Sequence, residues 1–228
     1  KAAAKELVER QLNSSYGCSY YPWVKVADPH QDGKLVWVPP SVVALGVFAN
    51  TDKRDVWFAP AGFNRGGLTL ANCGLQVTRV SEQLLSKDRD ALYEAGINPI
   101  ASFVGEGIVV FGQKTLQLTR SALDRINVRR LLIYVKKEIS FYATDILFDQ
   151  NVKVTWNRFL QRVVPFLEGV KTRLGLSDFK VILDETTTTP DLVDRNVLYA
   201  KVFLKPARAI EFIAVDFVIT RTGAAWQD

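Results

Sequence analysis

One helical stretch constrains this chain more than any other feature. On a helical wheel, positions 155–174 bring Trp156, Phe159, Leu160, Val163, Leu167, Val170 and Leu174 to one face. A face that apolar must be covered, so the segment demands a second layer packed against it. Pro165 lies inside the helix and predicts a kink. Arg158, Arg162 and Arg173 fall in a narrow band on the flank, and no acidic residue of the helix shares it, because Glu168 points elsewhere. A preceding helix over Ser121–Ile139 opens with Ser121 and Asp124 placed as a capping box, and it aligns Arg125, Arg129 and Lys136 in the same manner. Strands are predicted at Phe179–Asp184, Val197–Leu204 and Ile210–Thr220, with a threonine-rich loop ending at Pro190 between the first two. The second half therefore reads as an α+β layer.

The last of these strands is unusual. Glu211, Ile213, Val215, Phe217 and Ile219 lie on one face and Ile210, Phe212, Ala214, Asp216 and Val218 on the other. Both faces are largely apolar. Such a strand wants cover on both sides, either as a buried central strand or against a partner chain. Few residues follow it, so it suits a detachable arm.

The first half has an α/β pattern. A helix is expected at Ala2–Leu12, strands at Tyr20–Val26 and Leu35–Val38, and a turn at Asp28–Gly33 between them. Ser41 is placed to cap a helix over Val42–Asn50, and Val56–Ala59 reads as a short strand. Residues 64–80 are glycine-rich and give no clear element. Ser86–Ala95 reads as a helix capped by Ser86 and ended by Gly96. Ile100–Val104 and Ile108–Leu116 flank Gly105-Glu106-Gly107 as a β-hairpin.

Length and composition narrow the class. The 228 residues, 48% hydrophobic and 23% charged, exclude a disordered or collagen-like chain and can build a core without disulfides or metals. The longest apolar run, Val42–Ala49, is far short of the roughly 20 residues that a membrane-spanning helix needs. No signal-peptide core opens the chain, and two cysteines, Cys18 and Cys73, do not make a disulfide scaffold, so a reducing cytoplasm is expected. Methionine is absent, which leads to the expectation that the chain starts inside a longer protein. The net charge is +5, and residues 120–173 concentrate it with eleven basic and five acidic side chains. A patch of that kind points to an acidic partner (nucleic acid, membrane or protein) or is simply a solvated helix face.

Catalytic chemistry has little to stand on. The single histidine, His30, sits in a polar turn and reads as a surface residue. Cys18 and Cys73 lack His or Cys neighbours at metal-ligand spacing. Gly105-x-Gly107 lacks the third glycine of a dinucleotide fingerprint, and Gly112-Gln-Lys114-Thr115 lacks the leading glycine of a phosphate loop. Asp184, Glu185, Asp191 and Asp194 read as solvated loop acids. No cofactor, metal or catalytic residue is expected.

Several segments in order resemble the tail sheath protein of contractile-tailed bacteriophages, especially the T-even-like group. They are Trp37-Val-Pro-Pro-Ser41, Asp55-Val-Trp-Phe-Ala-Pro-Ala-Gly62, Ile97-Asn-Pro-Ile100 and Gly105-Glu-Gly-Ile-Val-Val-Phe-Gly-Gln-Lys-Thr115. Further along come Ser121-Ala-Leu-Asp-Arg-Ile-Asn-Val-Arg-Arg-Leu131, Phe148-Asp-Gln-Asn151, Asp194-Arg-Asn196 and Lys205-Pro-Ala-Arg-Ala-Ile-Glu-Phe-Ile213. Together they span nearly the whole chain.

The resemblance implies a structural protein of the virion, not an enzyme. Residues 1–115 would end a subtilisin-like α/β domain without protease activity, and residues 116–228 would form the inner α+β domain with a terminal strand arm. Subunits of this family stack as six-fold rings around a tail tube, with baseplate and tail terminator proteins at the ends. They assemble in the host bacterial cytoplasm and contract to drive the tube through the host envelope. Arms of neighbouring copies complete the inner domain's small sheet. The expected N-terminal arm and the first part of the subtilisin-like domain are missing from this sequence. In this frame Arg158, Arg162 and Arg173 form a tube-facing basic stripe, and Glu211, Ile213, Val215, Phe217 and Ile219 form an inter-subunit strand. No small-molecule substrate and no membrane partner are implied. Three alternatives stay open: the sheath of a phage-tail-like bacteriocin or other contractile injection machine, a basic nucleic-acid-binding protein, and a hydrolase of subtilisin-like ancestry.

Overall fold

A computed structural model describes residues 12–30 and 32–211. In chain order the first half comprises β1 (Ser19–Tyr21), β2 (Val24–Ala27), β3 (Leu35–Val38), α1 (Pro40–Asp52), α2 (Leu70–Cys73), β4 (Val77–Val80), α3 (Ser86–Glu94), β5 (Ile97–Phe103) and β6 (Gly107–Val110). The second half has a 3-10 turn at Ala122–Asp124, then α4 (Ile126–Thr144), α5 (Lys153–Thr172), β7 (Leu176–Ile182), α6 (Pro190–Asp194) and β8 (Lys201–Pro206).

The predicted strand Tyr20–Val26 is two strands. Pro22 lacks an N–H to give a ladder, so β1 ends and β2 joins another sheet. β1 runs parallel to β5 and β5 antiparallel to β6, while β2 lies antiparallel between β3 and β4. The hairpin turn is as expected, with Gly105 at φ 84° and Gly107 at φ 78°, a region closed to most side chains. The helix expected at Val42–Asn50 begins earlier. Pro40 supplies its first turn, with φ already set, and Ser41 is inside it rather than capping it. Similarly Ser86 is the first residue of α3, not its cap. The expected strand at Val56–Ala59 is a turn, closed by Phe58 N–H to the Asp55 carbonyl at 3.3 Å. Residues 64–80, unassigned from sequence, hold α2 and β4.

The helix expected at Ser121–Ile139 is broken at its start. Ser121 Oγ accepts from Leu123 N at 3.1 Å and caps the 3-10 turn, Arg125 is extended, and α4 begins only at Ile126. α5 carries Pro165 within it and buries Trp156, Phe159, Val163, Leu167 and Val170 as the wheel requires, with Leu160 half-buried. Leu174 does not join them. It lies past the helix end at φ 64° and is 70% exposed, because the chain must reverse there into β7. β7 and β8 pair antiparallel from Leu176↔Pro206 to Ile182↔Lys201, and Pro190 starts a helical turn within the loop. Ile210 and Glu211 belong to no strand. The rest of the predicted strand to Thr220, and residues 2–11 of the predicted first helix, lie outside the described residues.

Two buried clusters result. One gathers Val24, Val43, Val47, Leu68, Ile100 and Val110 around α1 and the first-half sheets. The other gathers Leu131, Val135, Phe159, Val163, Leu167 and Val170 between the helices, with Val181, Val202 and Leu204 of the β7–β8 ribbon packed on it. At roughly 1.5–3 kcal/mol for each large side chain buried, the α5 face dominates the second cluster. Trp57 of the first half joins that second cluster at 4% exposure.

Candidate assembly interface

The arginines of the α5 flank are half-exposed but not free. Arg158 reaches Asp149 at 2.6 Å, Arg162 reaches Asp145, and Arg173 reaches Asp55 at 2.6 Å. The helix itself supplies no acid in this band, as the wheel indicates. Asp145 and Asp149 come from the turn after α4 and Asp55 from the first half. Helical periodicity does not see these partners. The Arg158–Asp149 and Arg162–Asp145 pairs are exposed and worth about 0–1 kcal/mol each, so a competing carboxylate exchanges for them at little cost, whereas Asp55 is largely covered beside Trp57.

The second basic alignment, Arg125, Arg129 and Lys136, does not survive as a stripe. Lys136 is exposed, but Arg129 is buried, stacked 4.2 Å from the Tyr16 ring centroid and bonded to Ser15 Oγ. Arg125 precedes the helix in extended backbone and turns to Glu211. Its Nε and Nη2 donate to the two carboxylate oxygens at 2.6 and 2.9 Å, and Gln113 Nε2 donates to Oε1 at 3.2 Å. Burial first, then the Glu211 charge, hold the nearby Tyr93 phenol well above its ordinary pKa. Glu211, the last described residue, is thus fastened to its own protomer. Ile213, Val215, Phe217 and Ile219 follow outside the described residues.

The β7–β8 ribbon is two strands wide among the described residues, so each strand has one unpaired edge. Its inner face meets α5 through Phe179, Val181, Val202 and Leu204, and its outer face carries exposed Lys201, Phe203 and Lys205. Beside the root of the chain end, a groove of about 730 Å³ is walled by Trp57, Arg89, Phe111 and residues 207–211.

The motif residues weighed for other chemistry have structural partners. Lys114 donates through Nζ to the Tyr93 carbonyl at 2.6 Å, and burial lowers its pKa. His30 is exposed in its turn, with its backbone N–H on Asp28 Oδ1 at 2.9 Å. Asp184 receives Thr186 N–H and Oγ1–H, which lowers its pKa. Among the described residues no three His, Cys, Asp or Glu side chains gather as a metal site, and no helix is long and apolar enough to cross a membrane. Sequence reasoning missed Asn98, which is fully buried. Its Nδ2 donates to the Ser19 and Lys114 carbonyls at 3.0 and 2.8 Å, tying β1, β5 and the segment after β6 together. An asparagine inside the apolar run Ile97–Ile100 was the available signal.

Comparison with known proteins agrees with this architecture. Residues 119–220 match the family model described as phage tail sheath C-terminal domain. The chain is 41% identical over 189 residues to the tail sheath protein of Vibrio phage KVP40, covering 82% of this chain and 27% of that protein. It is 36% identical to that of Enterobacteria phage T4 (84% and 28%) and 33% identical to that of Salmonella phage ViI (92% and 32%). The chain therefore spans about a third or less of the curated relatives it matches. Among solved structures, the contracted PVC sheath complex of an extracellular contractile injection system superposes with TM-score 0.82 at 26% identity, over 95% of this chain and 60% of that one. The anti-feeding prophage helical sheath in its contracted state gives 0.77 at 27% identity, over 90% and 56%. Residues 119–220 are thus a phage tail sheath C-terminal domain, and the mixed α/β chain is similar over most of its length to one part of phage tail sheath proteins.

Proposed function

We propose that this protein is a structural, non-enzymatic subunit of a contractile tail sheath. It polymerises as six-fold rings around a tail tube, between a baseplate and a terminator, and contracts to push the tube through the host envelope. Residues 1–115 are the end of a subtilisin-like domain and residues 116–228 the inner domain. Subunits are made and assembled in the host bacterial cytoplasm and end in the virion. The observation that carries the reading is the β7–β8 ribbon, only two strands wide among the described residues and covered on one face by α5. Two-stranded ribbons are marginal alone, and their edges accept added strands. Residues 212–220, with Ile213, Val215, Phe217 and Ile219 on one face, supply such a strand to a neighbouring copy, leaving from Glu211 on their own protomer. Arg158, Arg162 and Arg173 face the tube, and the first two trade their internal aspartates for tube carboxylates.

The test is removal of residues 212–228 from the full-length protein, with electron microscopy of particles grown on tubes. Loss of striated cylinders from a folded subunit supports the reading, and normal cylinders refute it. A second reading, the sheath of a tube-based injection machine rather than of a phage, draws on the similarity to the contracted PVC sheath. It uses the same surfaces.

A further inference from the structure

The Arg125–Glu211 pair lies between the ribbon and the proposed arm. After β8 ends at Pro206, the Ala207 N–H bonds to the Gly175 carbonyl at 3.1 Å, and Arg208, Ala209 and Ile210 are exposed. The chain is then fastened again at Glu211, by the two Arg125 bonds and by Gln113. The two side chains retain only 26% and 16% exposure, and bidentate geometry adds strength and direction. Arg125 sits directly before α4 and Gln113 just after β6, so two separate parts of the fold converge on this carboxylate.

We propose that Arg125 and Glu211 are a root clamp that carries tension from the arm, an inference that rests on the arm-exchange reading above. β8 is continuous with the arm. Tension along an unclamped arm would first break the Ala207–Gly175 bond and then open the β8–β7 ladder one pair at a time from Leu176↔Pro206. A clamp downstream of Pro206 diverts that tension into α4 and the β5–β6 hairpin, which lie in the packed body. Unzipping breaks hydrogen bonds singly, whereas the clamp, loaded along its bonds, must yield as a unit.

The experiment compares full-length wild type, Arg125→Ala, Glu211→Ala and the double variant, each confirmed folded by circular dichroism. Backbone hydrogen exchange of residues 202–205 is read in free subunits and in assembled, contracted particles. Free subunits should not differ among the four. In particles, each single variant should raise β8 exchange at least about tenfold, and the double variant no further, because one interaction is removed in all three. If Glu211→Ala particles do not form, the same non-additive pattern is required of assembly yield. Unchanged β8 protection in Glu211→Ala particles, or additive single effects, overturns the clamp. Normal assembly after deletion of residues 212–228 instead overturns the arm reading itself, so the two failures are distinguishable.

Discussion

Trp57 Nε1 donates a hydrogen bond to the Arg173 carbonyl at 2.9 Å, joining positions 116 residues apart. The Arg173 guanidinium lies 4.8 Å from the Trp57 ring centroid while pairing with Asp55, and Asn127 Nδ2 donates to the Trp57 carbonyl at 3.3 Å. A turn of the first half is thereby built into the core of the second. Trp57→Ala should cost about 3–5 kcal/mol, and Trp57→Phe less, about 1–2 kcal/mol for the orphaned carbonyl and lost area. Urea unfolding read by circular dichroism measures both. Equal stability of Trp57→Ala and wild type would remove Trp57 from its place as a joint.

Close backbone approach gives a second prediction. A Cβ at Gly46 would stand 2.0 Å from the Cys73 carbonyl oxygen, where α1 meets α2, and backbone cannot rotate away as a side chain does. Gly46→Ala should destabilise by roughly 1–3 kcal/mol despite the better helix propensity of alanine. A rise in the urea midpoint would contradict that contact.

Much of this architecture was legible because period and punctuation are local. The α5 face, the hairpin glycines and β3 depend on residues within a few turns of one another. What the sequence hid was long-range. Whether Val56–Ala59 extends or turns is decided by the pocket waiting for Trp57 in the second core. The arginine band read as unpaired because Asp145, Asp149 and Asp55 reach it from outside the helix. Arg129 looked like part of a solvent stripe, yet Tyr16 and Ser15 cover it. The split at Pro22 is local, and its missing N–H donor is the signal for it.

Thiol chemistry offers a third test. Burial pushes the Cys73 thiol up, and burial does the same for Cys18. A raised folded value means the thiol's contribution to stability is present below the unfolded pKa of about 8.5 and is lost as pH rises through the folded value. Cys73 should therefore resist thiol reagents in native protein at neutral pH and react freely in urea. Fast native labelling of Cys73, mapped by mass spectrometry, would contradict its burial.

The arginine stripe gives a fourth. Reversing Arg158 and Arg162 to Glu should abolish growth on tubes while leaving the circular dichroism spectrum intact, since these two exposed internal pairs contribute only about 0–1 kcal/mol each. Replacing Asp145 and Asp149 by Asn frees the two arginines and should preserve tube binding or raise it. Normal sheaths from the double Glu variant, or tube binding lost with Asn, would deny the stripe its role.

Cryo-electron microscopy of extended sheaths made from the full-length protein addresses the arm most directly. Residues 212–220 are expected as a strand hydrogen-bonded to the β7–β8 ribbon of an adjoining copy, leaving from a Glu211 still held by Arg125 of its own. Density that folds those residues entirely onto their own protomer would contradict arm exchange between subunits.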